Sequence, residues 1–459
     1  MTSSAIVACL LLHALANANR NRRWTATPAD DLQPLFEART EGWLGGDVAT
    51  SIPLGNDRFL WLFGGTVIGK REGDTRVAFK GMPHNTVATV VLPKGASPTQ
   101  NDVNFYWRTR NGKPTAIFEP PKASENDTFY WVVAGLKSRE SDALFLLAQR
   151  VQHTDDERLN FKVLGSTAIV VKNATGDDPT TWQYESQDMP PSTNGTDWFA
   201  AISYAECVAC PDEIADDSFY GIADSVYLLG RNETSSAILA RAKLDDLIQF
   251  NYDSFQVYAN TSSTPDATWL PWRDVIVTGR GQPVALFRPA LAECTVSYHR
   301  DLELWYVVAV RLFDYRIDVW TASNVTGPWT STLVYEIPTP WRNTTKYLNY
   351  AAKSHPELVA SSSDEIVFSY MTNSWRLGVL FEPDEVRTYV PRFVRLRYTD
   401  ELAAWELVVL IIAFAFATLL LVVALVCQRG GGGDEEASTG GKTDGKEGSG
   451  TGSTEGNDL

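Results

Sequence analysis

Away from its two ends, the chain alternates short apolar runs with clusters of Gly, Pro, Asn and Asp, and helical periodicity is scarce. Five runs look alike: Phe59–Phe63, Ala143–Leu147, Ser225–Leu229, Leu304–Val308 and Glu365–Ser369. Each follows acidic or turn residues, and their starts are roughly 60 to 85 residues apart. That spacing suits a four-stranded unit with loop insertions, and five such units predict a five-bladed β-propeller. A blade must bury both faces against its neighbours, so its central strands read as continuous apolar runs. A β-sandwich is the rival all-β arrangement for the same pattern.

The ends read differently. Ala5–Ala16 is an apolar run, and Ala16-Asn17-Ala18 fits a small-x-small cleavage site, which predicts a signal peptide over 1–18. Leu407–Cys427 holds 21 residues without a charge, enough to cross about 30 Å of hydrocarbon, with Trp405 at its edge. The expected organisation is a lead-in over 19–39, a propeller over 40–398, a transmembrane helix over 407–427 and a disordered acidic Gly/Ser-rich tail over 428–459. Seven Asn-x-Ser/Thr sequons, at Asn126, Asn173, Asn194, Asn232, Asn260, Asn324 and Asn343, all lie between signal and span. They predict a glycosylated outer domain of a single-pass type I membrane protein, at the cell surface or in the secretory pathway.

The formal net charge of −16 argues against nucleic acid or anionic lipid as partners. Three cysteines fall in the outer domain, so at most one bridge forms within it. Cys207 and Cys210 could close a small loop, or one of them could reach Cys294. No His/Cys spacing suits zinc, no phosphate-binding Gly-rich loop precedes a helix and no Gly-x-Ser-x-Gly elbow occurs, so neither metal nor cofactor is expected.

The most informative segment is Asp47–Gly69. Asp47 follows Gly45 and Gly46; an alternating run, a turn at Gly55-Asn56-Asp57 and the apolar run Phe59–Phe63 come next. This predicts a hairpin presenting an Asp near one end of a sheet, with Gly64 and Gly65 turning the backbone sharply after it. Asp47-x-x-x-Ser51-Ile52-Pro53-Leu54 with Trp61-Leu62-Phe63-Gly64-Gly65-Thr66 resembles the first blade of the five-bladed propeller glycosidases, above all glycosidase-like relatives of glycoside hydrolase families 43 and 32. Val319–Ser323 followed by Gly327-Pro328-Trp329, and Tyr350 with His355-Pro356-Glu357-Leu358, extend that similarity over roughly 40–395. The relatives carry Asp where this chain has Gly65, which leaves activity open.

The resemblance implies a carbohydrate ligand at the mouth of the central channel, and hydrolysis there takes two carboxylates. Asp47 matches the first-blade base or nucleophile. Glu293, ahead of the alternating run Cys294–Tyr298, is the first choice of general acid, and Glu206, beside Cys207 in the third blade, the second. Each has a structural alternative, such as a turn or strand-start acid. Asp224 precedes a central strand as Asp142, Asp301 and Asp364 do, so it reads as a blade turn. His84, Asn85, Trp107, Trp198, Tyr298 and His355 are the substrate-binding candidates, and Trp329 a further aromatic, against the bland role of packing a Trp-rich core. Two functions follow: a membrane-anchored glycoside hydrolase, or a non-enzymatic receptor or lectin-like protein on the same scaffold, binding a glycan or glycoprotein.

Overall fold

The computed structural model describes residues 21–401, apart from 94–95, 122–126, 155–160, 175, 177, 191–196, 205–224, 232–235, 263–265, 289–292, 312–313 and 360–363, together with 412, 415, 418 and 419. The chain from 23 to 399 is one compact unit. It is a five-bladed β-propeller, and each of the five apolar runs supplies the second strand of a blade. Blade 1 runs from the innermost strand Glu41–Gly55 through Arg58–Glu72 and Thr86–Val91 to Val103–Tyr106. Blade 2 comprises Thr128–Lys137, Leu144–His153, Phe161–Val171 and Tyr184–Asp188. Blade 3 starts at Asp197–Tyr204 and continues through Ser225–Arg231, Ala237–Lys243 and Gln256–Asn260 to Thr268–Pro271. Blade 4 holds Thr295–His299, Leu304–Val310, Arg316–Ala322 and Thr330–Glu336. Blade 5 holds Tyr347–Ser354, Glu365–Ser374 and Arg392–Glu401, and its outer strand is Asn21–Pro28. The first strand among the described residues thus completes the last blade, ahead of the expected domain start at 40.

Five hydrophobic clusters fill the five inter-blade interfaces. In the central strands alternate residues face opposite neighbours, as a period of two requires. Leu60 and Leu62 meet Leu144 and Leu146 of blade 2, while Trp61 and Phe63 meet Val367 and Met371 of blade 5. Phe145 and Leu147 turn instead to Ile238 and Ala240 of blade 3. Trp305 and Val307 pack on Leu239 of blade 3, and Tyr306 and Val308 on Ile366 and Phe368 of blade 5. Each such side chain is worth about 1.5–3 kcal/mol of burial, which explains why both faces of these strands are apolar. Where innermost strands converge, bulk is excluded: a Cβ on Gly135 would stand 2.6 Å from Leu146 and 2.7 Å from Ile52.

The hairpin turn lies where the sequence predicted it, with Asn56 and Asp57 both in the left-handed region at φ 53° and 57°. Gly64 and Gly65 do not turn the chain. They lie inside the continuous strand Arg58–Glu72, and their lack of side chains serves close approach instead, as the site geometry makes clear. Among the described residues no helix is long and apolar enough to cross a membrane. Of the expected span, only Ile412, Ala415, Thr418 and Leu419 are described, all helical.

Candidate active site

The innermost strand of blade 1 loses its regular pairing around Asp47. Register shifts fall between Gly46 and Val48 and between Val48 and Thr50, and Val48 and Ala49 adopt φ of 69° and 53°. A left-handed valine is strained, and such bulges re-aim side chains. Here the bulge lays the Asp47 carboxyl against the second strand: a Cβ on Gly64 would stand 2.4 Å from Asp47 Oδ1. Blade 5 bulges in the same way, with Ala351 at φ 49° and a register shift between Tyr350 and Lys353. Its Tyr350 hydroxyl donates to Asp47 Oδ2 at 2.8 Å. Asp47 Oδ1 is buried without a hydrogen-bond partner. Burial pushes the Asp47 carboxyl up from 3.8 to about 6, and the Tyr350 hydrogen bond opposes the rise.

Glu293 enters from blade 4, just ahead of the innermost strand Thr295–His299, with φ 57°. Its Oε2 is likewise buried and unpartnered. Burial, and then the charge of Asp47, push it up to about 7, while Lys353 pulls the other way. The two carboxyls therefore lie near enough to repel, and both residues keep partial exposure beyond their sealed oxygens.

Lys353 ties the site across the propeller axis. It is fully buried, and its Nζ donates to the Val133 carbonyl of blade 2 at 3.1 Å and to the Cys294 carbonyl of blade 4 at 3.2 Å. Thr50 of blade 1 donates to the same Val133 carbonyl. Four blades thus meet around one ammonium, whose pKa burial lowers and Glu293 raises. Farther along the same strands, His355 is wholly buried, with Nδ1 on Ser51 Oγ at 2.7 Å, Nε2 on Ser369 Oγ at 2.8 Å and its ring 4.6 Å from that of Trp61. Burial, then Lys353, push it down to about 3, so the ring is neutral. Glu357 lies near its Nδ1, at 3.8 Å, and burial raises that carboxyl to about 7.

The structure thus brings Asp47 and Glu293 together, with His355 farther along the inner strands of blades 1 and 5. The other sequence candidates lie elsewhere. His84 stacks on Phe129 at 3.7 Å beside His153, and burial drops it to about 4. Asn85 spends its amide on Phe118 and Tyr130 carbonyls and the Phe118 N–H. Trp107 packs beside the blade 1–5 core, and Tyr298 beside the blade 3–4 core with Trp305 at 5.3 Å. Trp329 is buried there too, its indole donating to the Val325 carbonyl. Trp198 lies on the innermost strand of blade 3. Glu206, Cys207, Cys210 and Asp224 lie outside the described residues, as do Asn126, Asn194 and Asn232. Cys294 is a buried free thiol, raised to about 11 by burial. Asn173, Asn324 and Asn343 are exposed and Asn260 partly so. Sequence reasoning missed Lys353, Glu357, Tyr389 and the role of Tyr350 in the site. A lysine inside the otherwise uncharged run Tyr347–Ser354 was the one available signal.

Residues 30–405 match the family model described as Domain of unknown function (DUF5005), and the chain belongs to that family. A comparison with curated proteins found no match. Among solved structures, a hydrolase candidate from Bacteroides ovatus superposes with a TM-score of 0.61 at 15% identity, over 83% of this chain and 92% of that one. An exo-β-1,3-galactanase from Phanerochaete chrysosporium with β-1,3-galactotriose gives 0.39 at 12%, over 78% and 64%. An α-L-arabinofuranosidase from Podospora anserina with cellotriose gives 0.39 at 11%, over 82% and 97%. The resemblance to the glycosidase-like five-bladed propellers holds at the level of the fold.

Proposed function

We propose that this protein is a carbohydrate-active propeller of the glycoside hydrolase kind, held outside the membrane by the apolar run 407–427 and made with a cleaved signal. The observation that carries the enzymatic part is the pair Asp47 and Glu293, whose Oδ1 and Oε2 are buried without hydrogen-bond partners and whose carboxyls interact. Near neutral pH, Asp47 at about 6 is mostly ionised and Glu293 at about 7 is half protonated. A base or nucleophile beside a protonated acid is what glycosidic cleavage needs. Asp47 attacks the anomeric carbon or activates water, and Glu293 protonates the leaving oxygen. Lys353 stabilises the ionised form of Glu293 once it has given up its proton. Glu206 stands second to Glu293 as the acid.

A binding-only reading draws on Gly65, where the resemblance leads one to expect a third carboxylate. The full-length protein, screened on a glycan panel for binding and for new reducing ends, separates the two. Release that disappears in Asp47→Asn and Glu293→Gln supports hydrolysis. Binding without release supports a lectin-like protein, and neither outcome on a broad panel points to a protein partner.

A further inference from the structure

The segment 377–391 carries a buried tyrosine into the site. Tyr389 is 1% exposed, and its φ of 69° is left-handed, which is costly for an aromatic residue and persists only where the surroundings impose it. The surroundings do so. Its N–H donates to the Thr372 carbonyl at 2.7 Å, and its carbonyl accepts from Gly46 N at 3.0 Å, one residue before Asp47. Arg76, buried from the hairpin strand Thr75–Gly81, donates to the carbonyls of Leu44, Leu380, Glu385, Val386 and Thr388. Glu385 in turn accepts from Lys346, Tyr347 and Thr388. The tyrosine ring packs with Leu44, Val67 and Leu380.

All this holds one hydroxyl in place. Tyr389 Oη donates to the Gly65 carbonyl at 2.7 Å. A Cβ on Gly65 would stand 2.8 Å from that oxygen, so the hydroxyl occupies space a side chain would claim. The same hydroxyl, like that of Tyr350 and the backbone of Asp47 and Gly65, opposes the rise of the Asp47 carboxyl, whose Oδ1 is buried without a hydrogen-bond partner. A phenol carries one proton and can turn it toward either acceptor, and an ionised carboxylate outcompetes a carbonyl.

We propose that Tyr389 is the positioning residue of Asp47: its hydroxyl, seated in the space left by Gly65, turns from the Gly65 carbonyl to Asp47 Oδ1 when the carboxyl ionises. Gly65 and Tyr389 then form one device, in which a missing side chain makes room for a donor from a distant segment. The inference rests on Asp47 being the working carboxylate. The other ionisable groups facing that carboxyl are Tyr350 of blade 5 and Glu293 of blade 4.

The test follows Asp47 itself. The full-length protein is labelled with carboxyl-¹³C aspartate, the Asp47 resonance is assigned with Asp47→Asn, and its midpoint is read across pH 4–9 in wild type and Tyr389→Phe. Phe keeps the ring that packs the core, and an unchanged melting temperature confirms folding. Loss of the donor is expected to raise the midpoint by about one pH unit. Gly65→Ala, whose methyl displaces the hydroxyl, is expected to raise it as well. A midpoint within a few tenths of the wild-type value in both variants overturns the proposal. Where glycan cleavage is detected, the acid limb of its kcat/KM profile moves with the Asp47 midpoint. Absence of cleavage by wild type would sink the hydrolase reading while leaving this titration decisive, and cleavage with unmoved midpoints would sink only the role of Tyr389.

Discussion

Asp47→Asn separates the cost of burying a charge from the rest of the fold. Asn has the size of Asp and still accepts a hydrogen bond from Tyr350, so packing is preserved. The native Asp47 titrates at about 6 and an unfolded one near 3.8. The folded protein therefore holds the proton more tightly, and its stability is lost as pH rises through this window. A difference of about two pH units corresponds to about 3 kcal/mol, complete above pH 6. The uncharged amide of the variant bears no such cost. The variant should match wild type within its constant packing difference below pH 4, and gain about 3 kcal/mol on it between pH 4 and pH 7. The assay is urea unfolding of both proteins at half-unit pH steps, comparing midpoints at a common slope. A stability gap that stays constant across pH 4–7 would refute a desolvated Asp47. On the proposed function the same variant is more stable at neutral pH and inactive, because the group that destabilises the fold is the one that reacts.

Three further outcomes follow from the same geometry. Glu293→Gln should gain on wild type by about 3 kcal/mol between pH 4.5 and pH 7, by the same sign argument from its rise to about 7, and removing the charge of Asp47 should lower the Glu293 midpoint in carboxyl-carbon NMR titrations; an unmoved midpoint would mean the two groups do not interact. His355 stays neutral to about pH 3, so the native state forgoes a proton that the unfolded chain takes up below 6.5; the deficit of His355→Gln measured at pH 7 should shrink by about 3 kcal/mol at pH 4 in chemical denaturation, and a fixed deficit would contradict the buried neutral ring. Arg76→Ala leaves several buried carbonyls unpaired and should cost about 3–5 kcal/mol in thermal or urea unfolding, with hydrogen exchange rising first in 377–391; uniform exchange across the chain would show that Arg76 does not clamp that segment.

The blades were legible because their physics is local. A strand buried on both faces must be apolar at every position, and a tight turn must carry residues that tolerate positive φ, so Phe59–Phe63 and Asn56-Asp57 announce themselves in one dimension. The strand ahead of Tyr298 and the placing of Glu293 before it were legible for the same reason. Asp47 stood out through its glycines, although a turn is not their purpose: Gly64 and Gly65 make room for a carboxyl and a hydroxyl within a continuous strand. What the sequence could not determine depends on convergence around an axis. Tyr350 lies 303 residues from Asp47, Tyr389 324 from Gly65, Arg76 312 from Thr388 and Lys353 59 from Cys294. In the sequence Tyr389 and Arg76 are an ordinary tyrosine and arginine, and nothing there pairs Tyr350 or Lys353 with its partner. Only ring closure carries the bulged strands of blades 1 and 5 and the start of blade 4 to one point, buries one oxygen of each carboxyl, and turns two carboxylates far apart in sequence into an interacting pair with raised pKa values.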